Sequence, residues 1–222
     1  MRYAVLHRAL EREQEAVVAA RLRYRGSEAA RILGLAQVAY GDLRGLLVGL
    51  TEDVLDRAPP EGEWSARETM AHTVGVERSY RANVSHALGR GPDEPLVLTP
   101  EGRPQPDPLD IVGDGTAIAV RLGARRAETD EALAGTTEDQ MRLPTQWGSY
   151  DVDVRFRLHR FASHLVEHTV QCETALEATG ARFGDARRVA RRISVARAMH
   201  ERITAPDELA RLDEEHRAAL TG

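Results

Sequence analysis

Residues 157–171 read RLHRFASHLVEHTVQ and hold three of the chain's eight histidines. The pattern predicts one long helix over about 154–179, ending near Gly180. At ~100° per residue from Phe161, the side chains of Leu158, Leu165, Cys172, Ala175 and Leu176 all fall within about 60° of one direction. His164 and His168 fall inside this apolar stripe, whereas His159 points the opposite way, toward solvent. A buried imidazole without a partner costs about 1–3 kcal/mol, so two neighbouring ones call for shared compensation. An i, i+4 pair brings two ring nitrogens toward one point, as in helical zinc motifs. Hydrogen bonds from each ring to a facing polar side chain are the alternative.

Working outward, the 222 residues suit one compact domain with extensions. Apolar residues make up 42% and charged residues 29%, enough for a core and too apolar for disorder. The net charge of -5 sets up no field that draws the chain to nucleic acid or membrane. One cysteine rules out an intrachain disulfide framework and a Cys-only zinc site, and fits a reducing cytoplasmic setting. The opening MRYAVLHRALEREQEAVV has no long apolar run, so it does not read as a signal peptide. No segment approaches the roughly 18 apolar residues of a membrane span. Every basic residue is Arg, which suggests a GC-rich bacterial coding bias and excludes a catalytic lysine.

The remaining pattern is helical, at about 2–23, 28–50, 66–88, 109–134, 185–203 and 207–219. SARE at 65–68 is a capping box, with Ser65 as N-cap and Glu68 reaching back. Gly41, Gly45 and Gly49 share one helix face, where close approach by another helix would offset about 1 kcal/mol each of lost helix propensity. Residues 91–108 hold six of the ten prolines and read as a lid, a substrate wall or an extended strap over the bundle. YDVDV, within the loop before the histidine helix, alternates as a short strand does.

A cation at His164 and His168 needs another ligand, from among His7, His72, His86, His200, His216 and the carboxylates. His72 is best placed, early in the capped helix and bordering its apolar face. His86 faces solvent, and His7, His200 and His216 fall in segments expected to be peripheral. Cys172 reads as a small core residue, and Glu167 rotates away from the stripe. Trp147 and Tyr150 read either as pocket wall or as packing at the bundle end. Arg187, Arg188, Arg191 and Arg192 lack interleaved aromatics and read as a solvated face paired with the acidic 207–215 segment, not as a nucleic-acid patch.

EWSARETMAHTVGVE at 63–77, followed by FASHLVEHTVQ at 161–171, resembles the DinB/YfiT-like superfamily of metalloenzymes over roughly residues 28–180. There a Trp-Ser pair opens the second bundle helix, a His follows about two turns on, and a His-x-x-x-His ends the set. The resemblance implies metal ligands His72, His164 and His168. It implies an all-α fold, a DinB-like up-down-down-up four-helix bundle with additional N- and C-terminal helices. The bundle is then expected at 27–181, with helical extensions at 1–26 and 182–222 and a long crossover around 135–153 rather than in the Pro-rich stretch. A homodimer is a further implication.

The function implied is a metal-dependent enzyme acting on a small molecule, either a hydrolase or a low-molecular-weight-thiol-dependent transferase or isomerase. Zn is the default ion for three histidines, with Ni, Fe or Mn as alternatives. The mycothiol-dependent maleylpyruvate isomerase branch has Glu where His164 stands here, which weakens transfer of that activity. A non-catalytic bundle that binds a ligand or partner and keeps its histidines for structure is the competing reading.

Overall fold

The chain folds as packed helices, and the computed structural model describes residues 2–205, 207–211, 213 and 214. Helices α1 (Arg2–Arg23), α2 (Glu28–Leu47), the single turn α3 (Glu52–Leu55), α4 (Ala66–Gly89), α5 (Gly115–Leu133), the single turn α6 (Glu138–Met141), α7 (Val154–Ala178) and α8 (Asp185–Ile203) follow in order. Before α7, β1 (Pro144–Trp147) pairs antiparallel with β2 (Tyr150–Asp153), so YDVDV does begin as a strand. Among the described residues no helix is long and apolar enough to cross a membrane.

Local chemistry sets the ends. The Ser65 hydroxyl accepts from the Glu68 N–H, and the Glu68 carboxylate accepts from the Ser65 N–H at 2.8 Å, which completes the expected capping box. Helix α2 stops at Leu47, short of the expected 50, because Val48 leaves the helix and Gly49 turns at φ +78°. Helix α5 begins six residues later than expected. Asp107 caps a 3-10 turn at Pro108–Ile111, Gly113 breaks it at φ +91°, and Asp114 caps α5 by accepting from the Ala117 N–H at 2.8 Å. Of the expected last helix, residues 207–211, 213 and 214 are helical, and the remainder, including His216, lies outside the described residues.

Four long helices enclose one core, α2 touching α5 and α7, and α4 touching the same two. Leu33, Leu43, Met70, Val74, Leu122, Leu158 and Phe161 fill it. Side-chain pairs give the directions. Tyr80 meets Phe161 while His72 meets His164 and His168, so α4 and α7 are antiparallel. Ser27 reaches the Ala134 carbonyl and Tyr40 the Ala119 carbonyl, so α2 and α5 are antiparallel. Glu77 pairs with Arg126 and Arg81 with Glu128, so α4 and α5 run parallel.

That parallel pair corrects the position of the long crossover. Residues 90–114, the Pro-rich stretch, carry the chain back along α4. Pro95 O lies 2.8 Å from the His86 ring, Leu98 N–H donates to Asn83, and the Ile111 carbonyl accepts from Arg67 at the other end. Residues 135–153 hold only α6 and the hairpin.

The terminal helices are not peripheral. A Cβ on Gly41 would come within 2.7 Å of Ala198 Cβ, and one on Gly45 within 2.8 Å of Arg191 Cα, so these glycines admit α8 onto α2. Helix α1 packs on α8 in turn. His200, expected at the periphery, is buried there, its Nδ1 3.2 Å from Glu13. Arg191 also turns inward, donating to Asp42 at 2.6 and 2.8 Å and meeting Glu173 at 2.8 Å. Arg187 donates to the Leu46 and Val48 carbonyls, while Arg188 and Arg192 are exposed as expected. The acidic 207–215 segment therefore serves other arginines, with Glu208 on Arg23 and Asp213 on Arg197.

Candidate metal centre

Ser65 starts α4 so that His72 lies two turns in, on the flank that meets α7. From α7, His164 and His168 project one turn apart into the same space, both buried, while His72 is partly exposed. Ring centroids are 4.2 Å apart for His164 and His168, 4.7 Å for His72 and His168, and 5.2 Å for His72 and His164. One nitrogen from each ring lies within 4.8 Å of the others. The three imidazoles singled out in the sequence thus do converge, from two helices 92 residues apart in the chain at their closest contact.

The donor set fits a divalent cation. Nε2 of His72 and Nε2 of His164 are 3.3 Å apart. Bonds of roughly 2.0–2.1 Å at tetrahedral angles would put two ligand nitrogens about 3.4 Å apart. The Nδ1 of His168 lies 2.7 Å from Gln171 Oε1, so an N–H donated there leaves Nε2 with a free lone pair. A hydrogen bond can join only two of the three converging nitrogens, whereas a cation satisfies all three. Burial, and then the neighbouring His168, His72 and Arg160, push the His164 pKa down to about 3. Burial and His168 also lower that of His72. Both rings are therefore neutral near pH 7, the form that binds metal.

The surroundings are mostly apolar or aromatic. Tyr80 lies 5.5 Å from the His164 ring and Trp64 lies 5.2 Å from His72, centroid to centroid. Cys172, one turn beyond His168, is a fully buried core residue, and burial pushes its thiol up to about 12. Glu167 is exposed and sits 3.9 Å from Arg160. Trp147 stacks on Tyr150 and lies under the Arg160 guanidinium at 4.6 Å, the packing role. Of the other candidates, His86 is tied to Pro95 and His200 to Glu13, both away from the triad. Gln171 was missed in the sequence. Its position one turn's reach after His168 was the available signal, but its role depends on a rotamer.

Hollows flank the triad on two sides. One, of about 490 Å³, has His72 in its wall and lies between α4 and the crossover. Another, of about 450 Å³, is bounded by Trp64, Gln171 and Thr174. A family model described as the DinB superfamily matches residues 35–172, which take in most of α2, all of α4 and α5 and most of α7 with all three histidines. No curated protein and no solved structure matches the chain.

Proposed function

Because the chain belongs to the DinB superfamily, we propose that His72, His164 and His168 hold one divalent cation and that this centre transforms a small molecule. The observation that carries the reading is the convergence of three imidazole nitrogens within 4.8 Å inside an apolar bundle. Zinc is the ion that three neutral histidines favour by default, with nickel, iron or manganese as alternatives. A bound divalent cation supplies Lewis acidity and brings the pKa of water, or of a thiol, down to neutrality or below.

The chain's own residues supply the setting. Gln171 fixes the His168 tautomer, burial keeps His164 deprotonated, and Tyr80 and Phe161 shield one side from water. The partly exposed His72 marks the side from which a substrate enters. The hydrogen-bond partners of the triad's rings are one another and the neutral Gln171 side chain. A thiol-dependent reaction would use an external low-molecular-weight thiol, because the Cys172 thiol is buried and protonated at neutral pH.

Metal analysis of untagged protein tests the reading. The expected result is close to one zinc per chain in the wild type, with less than a tenth of that in a folded His164→Ala variant. Metal-free wild type with unchanged stability would favour the non-catalytic bundle. Titrating the cobalt-substituted protein with cysteine then separates the two chemistries. A new thiolate-to-cobalt absorption band supports thiol transfer, and its absence favours hydrolysis.

A further inference from the structure

Gly75 sits in the middle of α4, where glycine weakens a helix relative to alanine. The other glycines inside α2 and α5 each have a neighbour that a Cβ would meet. Gly41 and Gly45 admit α8, Gly123 faces the Tyr40 hydroxyl, and Gly34 lies near Arg202. A Cβ on Gly75 would meet nothing within 4 Å. The space it would enter is the cavity of about 490 Å³ between α4 and the Pro-rich crossover. Packing gives no return for this glycine, whereas an open cavity wall does.

The cavity has the character of a ligand pocket. Its volume falls within the range of about 300–1,000 Å³ common to small-molecule sites. Ala71, Gly75 and Val76 form the helix wall, Pro104 and Pro106 the opposite one, and His72 belongs to both the cavity and the triad. The charges in the wall are already matched. Asp110 holds Arg78 at 3.4 Å and Arg125 at 2.8 Å, and Asp107 holds Arg125 at 3.4 Å. Arg125 lies behind the wall and also meets Glu128 at 3.0 Å, which pairs with Arg81, so three cations against three carboxylates leave no net charge for an ionic ligand to neutralise.

We propose that this cavity receives the uncharged, largely apolar portion of the substrate, and that the bound molecule presents its reactive group to the cation beside His72. The assignment rests on the metal-centre reading. The crossover thereby sets substrate size, and Gly75 keeps the wall clear.

The test uses the full chain, zinc and the uncharged dye Nile red. Wild-type protein should bind the dye saturably, with cobalt in place of zinc quenching its emission. Gly75→Leu should raise the dye Kd at least tenfold with zinc content and thermal midpoint maintained. Gly89→Ala, a glycine with equal room but outside the cavity, should leave the Kd unchanged. Absent saturable binding, an unchanged Kd in Gly75→Leu, or dye unaffected by cobalt overturns the proposal. If the wild type takes up no metal yet binds dye in a Gly75-dependent way, the metal-centre reading fails instead, and with it the assignment of this cavity to that centre's substrate.

Discussion

At His164, burial and two neighbouring imidazoles hold the ring near a pKa of about 3, against 6.5 for a free side chain. The unfolded chain takes up a proton as pH falls through about 6.5, whereas the folded chain resists until about 3, so stability declines with acidification across that window. At about 1.4 kcal/mol per unit, the full effect is on the order of a few kcal/mol. Urea midpoints of metal-free protein should fall between pH 7 and pH 4, and more gently in His164→Gln; equal slopes would refute the shift. Gln171→Ala frees the Nδ1 of His168, and competition against a zinc-binding dye should show affinity reduced by about 10- to 100-fold. The imidazoles themselves were legible in sequence because their helical phase is local. Gln171 was not, because side-chain rotamers are set by neighbours.

Among the elements, α4 depends on its first turn and α2 on its bare face. Ser65→Ala removes an acceptor for the Glu68 N–H, and equilibrium denaturation should record a loss of about 1 kcal/mol. Gly41→Ala would improve helix propensity in isolation, yet its Cβ would crowd the Val195 Cα at 2.8 Å and the Ser194 carbonyl at 2.9 Å. Since both are backbone atoms, a net loss of about 1–2 kcal/mol is expected. A gain instead would mean that α8 is free to shift. The helices were readable from caps and periodicity to within a few residues, because both signals come from adjacent residues. The late start of α5 was hidden by Leu109 and Ile111, apolar residues that continue its pattern outside the helix, in a turn ended by Gly113.

Across the whole molecule, a polar chain ties the bundle to its terminal helices. Glu77 of α4 accepts from Arg126 and Thr129 of α5, both at 2.6 Å, Arg126 meets Asp130, and Asp130 accepts from Arg202 of α8 at 2.6 Å. Glu77 and Arg126 are 3% and 1% exposed, so Glu77→Leu takes the buried carboxylate from a buried guanidinium and leaves it Asp130 and the face of Phe161. Urea unfolding should show a loss of about 3 kcal/mol, much of it recovered in the Glu77→Leu/Arg126→Met double variant. A single variant as stable as the wild type would show that this pair does not hold α4 to α5. The sequence by itself determined the helices, the apolar stripe carrying His164 and His168, and the glycine face awaiting a partner, since each is a property of residues within a few turns of one another. It placed His72 only at the border of a core, with the family resemblance completing the set. Tertiary structure alone decided that His72 closes on the pair, that the crossover is residues 90–114, that His200 is interior and that Arg191 binds Asp42 and Glu173. Those facts depend on which helix faces meet and in which direction the chains run, and long-range packing decides both.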